Sequence, residues 1–152
     1  MTTQLTLKNL IIAGLVGEIV FEAYAWLVSP ALFGVALSPT NLVVALGQIV
    51  FGASLPHWAG FAIHATIGSI GFAVFVWLTH LVTKTNLILS GVIAGLALWF
   101  IAQGLLAPVV GRSFMMGFGA YTQSSFIGHV GMTTVMAIVL SMLSRFRAPK
   151  TA

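Results

Sequence analysis

The chain has only two acidic residues, Glu18 and Glu22, and both lie inside its first long apolar run, Gly14–Pro30. On an α-helix, a spacing of four residues places both side chains on one face, stacked with the small residues Gly14 and Gly17. A charged side chain at the centre of an apolar span costs about 3 kcal/mol or more, so such residues usually face a polar cavity or a partner. We therefore expect neighbouring helices to cover this face and the carboxylates to have a chemical role.

Two histidines fall at comparable positions in later apolar runs, His64 in the second and His129 in the last. With a rise of about 1.5 Å per residue, both histidines are expected at a depth similar to that of Glu22, in the outer third of the membrane. Glu18 lies about one turn deeper. The sequence thus places two carboxylates and two imidazoles in one zone.

These residue types favour a metal centre. Carboxylate and imidazole groups are ligands of borderline divalent metals and of non-haem iron, and helical bundles build such sites from inward-facing side chains on several helices. The Glu-x-x-His spacing of di-iron carboxylate bundles is absent. We predict a divalent-metal site with the ligands Glu18, Glu22, His64 and His129, and with His57 at its mouth.

Two opposed histidines are equally typical of a b-type haem, with His64 and His129 as axial ligands. In either form the protein would have a redox or ligand-binding role. Arg112, at the same end of the bundle, would either pair with the haem propionates or anchor its loop. Room for the flat macrocycle would come from four glycines near the histidines, which are Gly60, Gly68, Gly128 and Gly131.

Two further hypotheses need no cofactor. Two carboxylates one turn apart cannot both ionise cheaply at low dielectric. As proton acceptors beside a histidine, Glu18 and Glu22 would form a proton relay or the cation-coupled site of a small transporter or channel. Alternatively, the chain is a non-catalytic accessory subunit whose polar core only fixes helix register. His80, at the far end of the second span, is assigned a structural role.

Composition indicates the class of protein. Hydrophobic residues make up 59% of the 152 residues and charged residues 5%, against about 25% charged in soluble domains. So few charges cannot cover a water-soluble fold, and we predict an all-α integral membrane protein with one domain, a four-transmembrane-helix bundle. The absence of cysteine excludes thiolate metal sites and iron–sulfur ligation. A span needs about 20 apolar residues, and four segments qualify, at about 10–29, 58–82, 87–106 and 126–143.

Basic residues predict the orientation. Five of the six lie on the side of the two termini, and Arg112 alone lies on the other. The positive-inside rule then places both termini in the cytoplasm and the spans in the plasma (inner) membrane. Because these charges flank the spans, we expect a lipid bilayer as partner rather than nucleic acid, with a homo-oligomer or larger membrane complex as the assembly. The five residues are Lys8, Lys84, Arg145, Arg147 and Lys150.

Two connections are long enough to have structure of their own. Residues 41–51 follow the helix-start sequence Ser38–Asn41 and are too short to span, so they predict an amphipathic helix at the outer interface or a re-entrant lid. A packed loop with no role in chemistry is the alternative. The aromatic residues of Arg112–Gln123 are explained by interfacial anchoring or by a gate over a site.

The sequence also indicates an internal duplication of a two-helix hairpin. A Pro–Gly pair closes the first and third spans, at Pro30–Gly34 and Pro108–Gly111. A Phe-x-x-His sequence then opens each following span, at Phe61–His64 and Phe126–His129. Parallel hairpins of this kind would be related by an axis along the membrane normal, which would place the two histidines at equivalent depths.

Overall fold

The computed structural model describes residues 6–145, and within that range the regular structure is entirely helical. Four helices are long and apolar enough to cross a membrane, which confirms the predicted all-helical class and the number of long helices. A shorter helix follows the first of them. The helices are α1 (Leu7–Phe33), α2 (Thr40–Phe51), α3 (His57–Thr83), α4 (Leu87–Val109) and α5 (Ala120–Arg145).

The four long helices form an up-and-down ring in chain order. Helix α1 packs against α3 and α5, and α4 packs against the same two neighbours. Such an arrangement is typical of helix bundles in which consecutive helices are antiparallel neighbours. Lys8, Lys84 and Arg145 therefore lie at one end of the ring and Arg112 lies at the other. Arg147 and Lys150, which also entered the orientation argument, lie outside the described residues.

Glycines set the distances between these helices. A Cβ at Gly14 would collide with the backbone oxygen of Ser69 on α3. A Cβ at Gly17 would meet the Met136 side chain on α5 at 2.5 Å. The glutamate face of α1 is thus covered from both sides, as its small residues predict.

The sequence predicts that the first and third spans end at their prolines, but in the structure both helices continue past them. Each helix changes its hydrogen-bond register just before the proline. In α1 the Ser29 amide donates to the Tyr24 oxygen, five residues back. In α4 the Ala107 amide donates to Ala102 in the same way. A π-helical turn is wider than an α-turn, so the ring of the following Pro30 or Pro108 is accommodated without the usual clash. The two helices continue to Phe33 and Val109.

The two hairpins are alike in their first helix and differ in their second. Helices α1 and α4 both begin at a side-chain cap, contain a π-helical segment and end near a glycine with positive φ, Gly34 or Gly111. Helix α3 has its own π-helical segment, Ile67–Gly71, whereas α5 is one continuous α-helix. The internal duplication therefore stays a prediction.

Helix α5 begins six residues before the predicted span. Its first two turns are polar, but their side chains bond within the protein: the Thr122 hydroxyl donates to the Met115 oxygen, and Ser124 bonds with Ser29 and Tyr24 of α1. Thr122 and Ser124 are fully buried. The preceding connection contains a tight turn, Phe114–Phe118, in which Met115, Met116 and Gly117 have positive φ.

Candidate functional site

Glu18, Glu22 and His64 meet between α1 and α3. The His64 Nδ1 atom lies 3.3 Å from Glu18 Oε1 and 3.8 Å from Glu22 Oε1. One ligand atom from each residue can be chosen so that all three lie within 4.8 Å of one another. The side chains are largely buried, with 8% of Glu18, 21% of Glu22 and 14% of His64 exposed. We call these three residues the carboxylate–imidazole cluster.

The facing atoms of the cluster have no hydrogen-bond partner. Both oxygens of Glu18, Oε1 of Glu22 and Nδ1 of His64 are buried and unpaired. The 3.3 Å approach of His64 to Glu18 is a close contact without hydrogen-bond alignment. Buried polar atoms are nearly always paired, and leaving one unpaired costs about 1–3 kcal/mol. Four such atoms in one place could hold a metal ion.

A glycine on α3 makes room for the Glu18 carboxylate. A Cβ at Gly68 would overlap Glu18 Oε2 and lie 2.9 Å from its carboxyl carbon. Gly68 belongs to the π-helical segment Ile67–Gly71, one turn after His64. Turns of this kind are frequent at functional sites because they redirect neighbouring side chains.

A tryptophan orients the second carboxylate. The Trp26 indole Nε1–H donates to Glu22 Oε2 at 2.7 Å. This bond occupies one oxygen of Glu22 and leaves Oε1 directed at His64. Outer partners of this kind hold ligand groups in place in metal sites.

An outer cavity of about 410 Å³ leads to Glu22 from the end of the bundle that carries α2. His57 is exposed and lines this cavity together with Trp26 and Trp58. The structure therefore places His57 at the entrance to the cluster and outside it. His80 lies at the opposite end, where its Nδ1 is 2.7 Å from the Thr85 oxygen.

His129, the fourth predicted ligand, lies outside the carboxylate–imidazole cluster. Its Nδ1 lies 2.8 Å from the Ser125 oxygen, one turn back on α5. Its ring packs against Phe21, at a centroid distance of 6.1 Å, and the same phenyl ring packs against His64 at 5.7 Å. The two imidazoles therefore pack against the same phenyl ring, and His64 is the one that contacts the carboxylates.

The haem hypothesis receives no support from these contacts. The space beside three of the four glycines expected to accommodate a macrocycle is already filled. Gly60 packs against α2, Gly68 against the Glu18 carboxylate and Gly128 against the Phe21 ring. Only Gly131 faces open space. Arg112 lines an inner cavity together with His64 and His129.

That inner cavity has a volume of about 260 Å³ and is lined by residues of all five helices. Leu42, Val43 and Leu46 of the short helix α2 form part of its wall. His64 and His129 also line it. The cavity thus adjoins the carboxylate–imidazole cluster through the His64 ring.

No family model, curated protein or solved structure matches this chain. What the site can do is therefore argued from its own atoms. Sequence reasoning missed Trp26, although a Trp four residues after Glu22 was an available signal. It assigned Gly68 to a haem, whereas Gly68 makes room for the Glu18 carboxylate.

Proposed function

We propose that the protein is an integral membrane protein that binds one divalent metal ion at Glu18, Glu22 and His64. The observation that carries the proposal is the convergence of buried, unpartnered oxygen and nitrogen atoms from these three residues. Two ionised carboxylates in a low-dielectric interior need compensating positive charge. A divalent cation supplies two positive charges and takes up the unpaired oxygens.

The spacing of the ligand atoms suits a small transition-metal ion. Ligand atoms about 2.1 Å from a tetrahedral ion lie about 3.4 Å from one another. The contacts of His64 with Glu18 and Glu22, at 3.3 and 3.8 Å, are close to that value. A set of two carboxylates and one imidazole favours zinc, iron(II) or manganese(II) over calcium. A fourth position would remain for water or a further ligand.

The surface of the ring supports membrane integration. Large apolar side chains project outward from the long helices, among them Ile19, Leu27 and Val82, each more than two-thirds exposed. A soluble monomer rarely exposes contiguous apolar patches of this extent. Together with the basic residues at one end, this favours a plasma-membrane protein with cytoplasmic termini. The cluster would then lie in the outer half of the bilayer.

Metal titration of the purified protein tests the proposal. Protein stripped with a chelator should bind Zn²⁺, Mn²⁺ or Fe²⁺ at one ion per chain by elemental analysis and by competition with a chromophoric chelator. Glu18→Gln, Glu22→Gln and His64→Gln should each weaken binding by about 100-fold or more, because loss of an outer partner alone costs 10- to 100-fold. His80→Gln, at the opposite end of the bundle, is the matched control. Equal binding by the four variants and the unaltered protein would refute the proposal.

Cation passage is a second candidate, favoured by the outer cavity that leads from His57 to Glu22. A transported ion crosses the membrane, whereas a resident ion stays bound at its site. Liposomes that contain the protein would accumulate the metal in the first case, and Glu22→Gln would abolish the uptake. Bound metal without uptake would leave the resident site alone.

A further inference from the structure

The inner cavity is large enough for a small organic molecule. At about 260 Å³ it exceeds the cavity of about 150 Å³ that accommodates benzene, and it falls just below the usual range of about 300–1,000 Å³ for drug-sized ligands. Its wall is mainly apolar. Aromatic rings contribute much of that wall, from Phe21, Phe72 and Tyr121 in addition to the two histidines.

One polar side chain that lines this cavity has a buried atom without a partner. Gln103 is 6% exposed and lies in the π-helical segment of α4. Its Nε2 donates to the Ser125 hydroxyl at 3.3 Å, whereas its Oε1 has no partner. An amide oxygen only accepts hydrogen bonds. A molecule in the cavity that satisfies it must therefore present a donor.

One charge in the wall is also uncompensated within residues 6–145. Arg112 lines the cavity and is half-buried. The only two carboxylate side chains, Glu18 and Glu22, contact His64 instead. A guanidinium group stays protonated in proteins and prefers planar oxyanions, which it binds with two parallel hydrogen bonds. The cavity wall thus offers an anion site as well as an acceptor.

His129 adds a second acceptor. Its Nδ1 lies 2.8 Å from the Ser125 carbonyl oxygen, which can only accept, so Nδ1 has the proton. In the neutral ring, Nε2 is then the unprotonated nitrogen. The polar part of the wall therefore includes one cation, an amide, two imidazoles and two hydroxyl groups, set within an apolar and aromatic surface.

We infer that the inner cavity binds a compact hydroxy-substituted aromatic carboxylate, with the carboxylate on Arg112 and the hydroxyl donating to Gln103. The aromatic body would pack between Phe21 and Phe72 under the lid formed by α2. This site is distinct from the metal proposed at the carboxylate–imidazole cluster, and it needs no metal to form.

Calorimetric titration of the full chain in detergent, with chelator present, tests this inference. The probe is 6-hydroxy-2-naphthoate, and we expect saturable binding of one molecule per chain. Its neutral methyl ester should bind about tenfold or more weakly, because a hydrogen bond to a charged group is lost. The parent 2-naphthoate, which lacks the hydroxyl, should also bind more weakly. Arg112→Gln should reduce the affinity for the acid to that of the ester, whereas Lys84→Gln, the same charge change at the other end of the bundle, should leave it unchanged.

Two tryptophan variants, one inside the cavity and one outside it, test whether the probe occupies the cavity itself. Leu98 lines the cavity, whereas Leu96, on the same helix, is 41% exposed on its outer surface. Leu98→Trp should abolish binding and Leu96→Trp should not. Equal affinity for acid and ester, or binding that requires added Zn²⁺, would overturn the inference. Failure of metal binding alone would leave the chelator-treated titration unchanged, so the two proposals can fail separately.

Discussion

The Glu18 carboxylate occupies the volume that a side chain at position 68 would need. Gly68→Ala should therefore displace the carboxylate and weaken Zn²⁺ binding by about tenfold or more, comparable to losing an outer hydrogen bond to a ligand. Gly71→Ala is the control in the same π-helical segment, because its Cβ would meet only Ile67 Cγ2, at an ordinary 3.6 Å. Competition titration of the two variants measures the difference. Equal affinities would show that Glu18 is not held where a metal needs it.

Glu22 depends on its neighbour Trp26 in a comparable way. Trp26→Phe keeps an aromatic ring but removes the 2.7 Å hydrogen bond to Oε2, which frees the carboxylate to rotate away from His64. We expect a 10- to 100-fold loss of metal affinity with little change in melting temperature, because the Trp26 side chain is 66% exposed. Trp58→Phe is the control, since Trp58 lines the same outer cavity without bonding a carboxylate. If the control lost as much affinity, the hydrogen bond would not be the cause.

Residue positions along a helix give depth but not direction, and this explains which site residues could be predicted. Glu18, Glu22 and His64 lie at a similar depth and also point towards one another, so the carboxylates do meet an imidazole. His129 shares the depth, but α5 directs it towards Phe21 and Ser125. The rotation of one helix about its axis relative to another is set by packing, which a hydropathy pattern does not encode.

At the scale of helices, α4 and α5 pack closely through Gly91. A Cβ on Gly91 would lie 2.6 Å from Ala137 Cβ and 2.7 Å from the Thr133 oxygen. Gly91→Ala should therefore destabilise the protein by about 1–3 kcal/mol, as overpacking does. Gly131→Ala, on the facing helix, meets nothing within 4 Å and should stabilise by about 0.4–1 kcal/mol. Unfolding in mixed detergent measures both, and opposite signs are the expected result.

The helix ends were less predictable than the helices themselves. Hydropathy locates the four long apolar segments because each must present about 20 apolar residues. It does not indicate that a π-helical turn lets α1 and α4 pass through Pro30 and Pro108. It also misses the polar start of α5, where Thr122 and Ser124 are buried because they bond to other parts of the chain. Hydrogen-bond register and tertiary pairing decide these boundaries.

For the whole molecule, orientation decides which compartment would supply the proposed metal ion and the proposed organic acid. The chain contains no cysteine, so an introduced one is the only target for a thiol reagent. Ser113 is exposed beside Arg112, and Thr83 is exposed at the opposite end of the ring. With cytoplasmic termini, Ser113→Cys should react with a membrane-impermeant maleimide in intact cells, and Thr83→Cys only after permeabilisation. The reverse pattern would place the outer cavity, and with it access to Glu22, on the cytoplasmic side, so the proposed metal site would draw its ion from the cell interior.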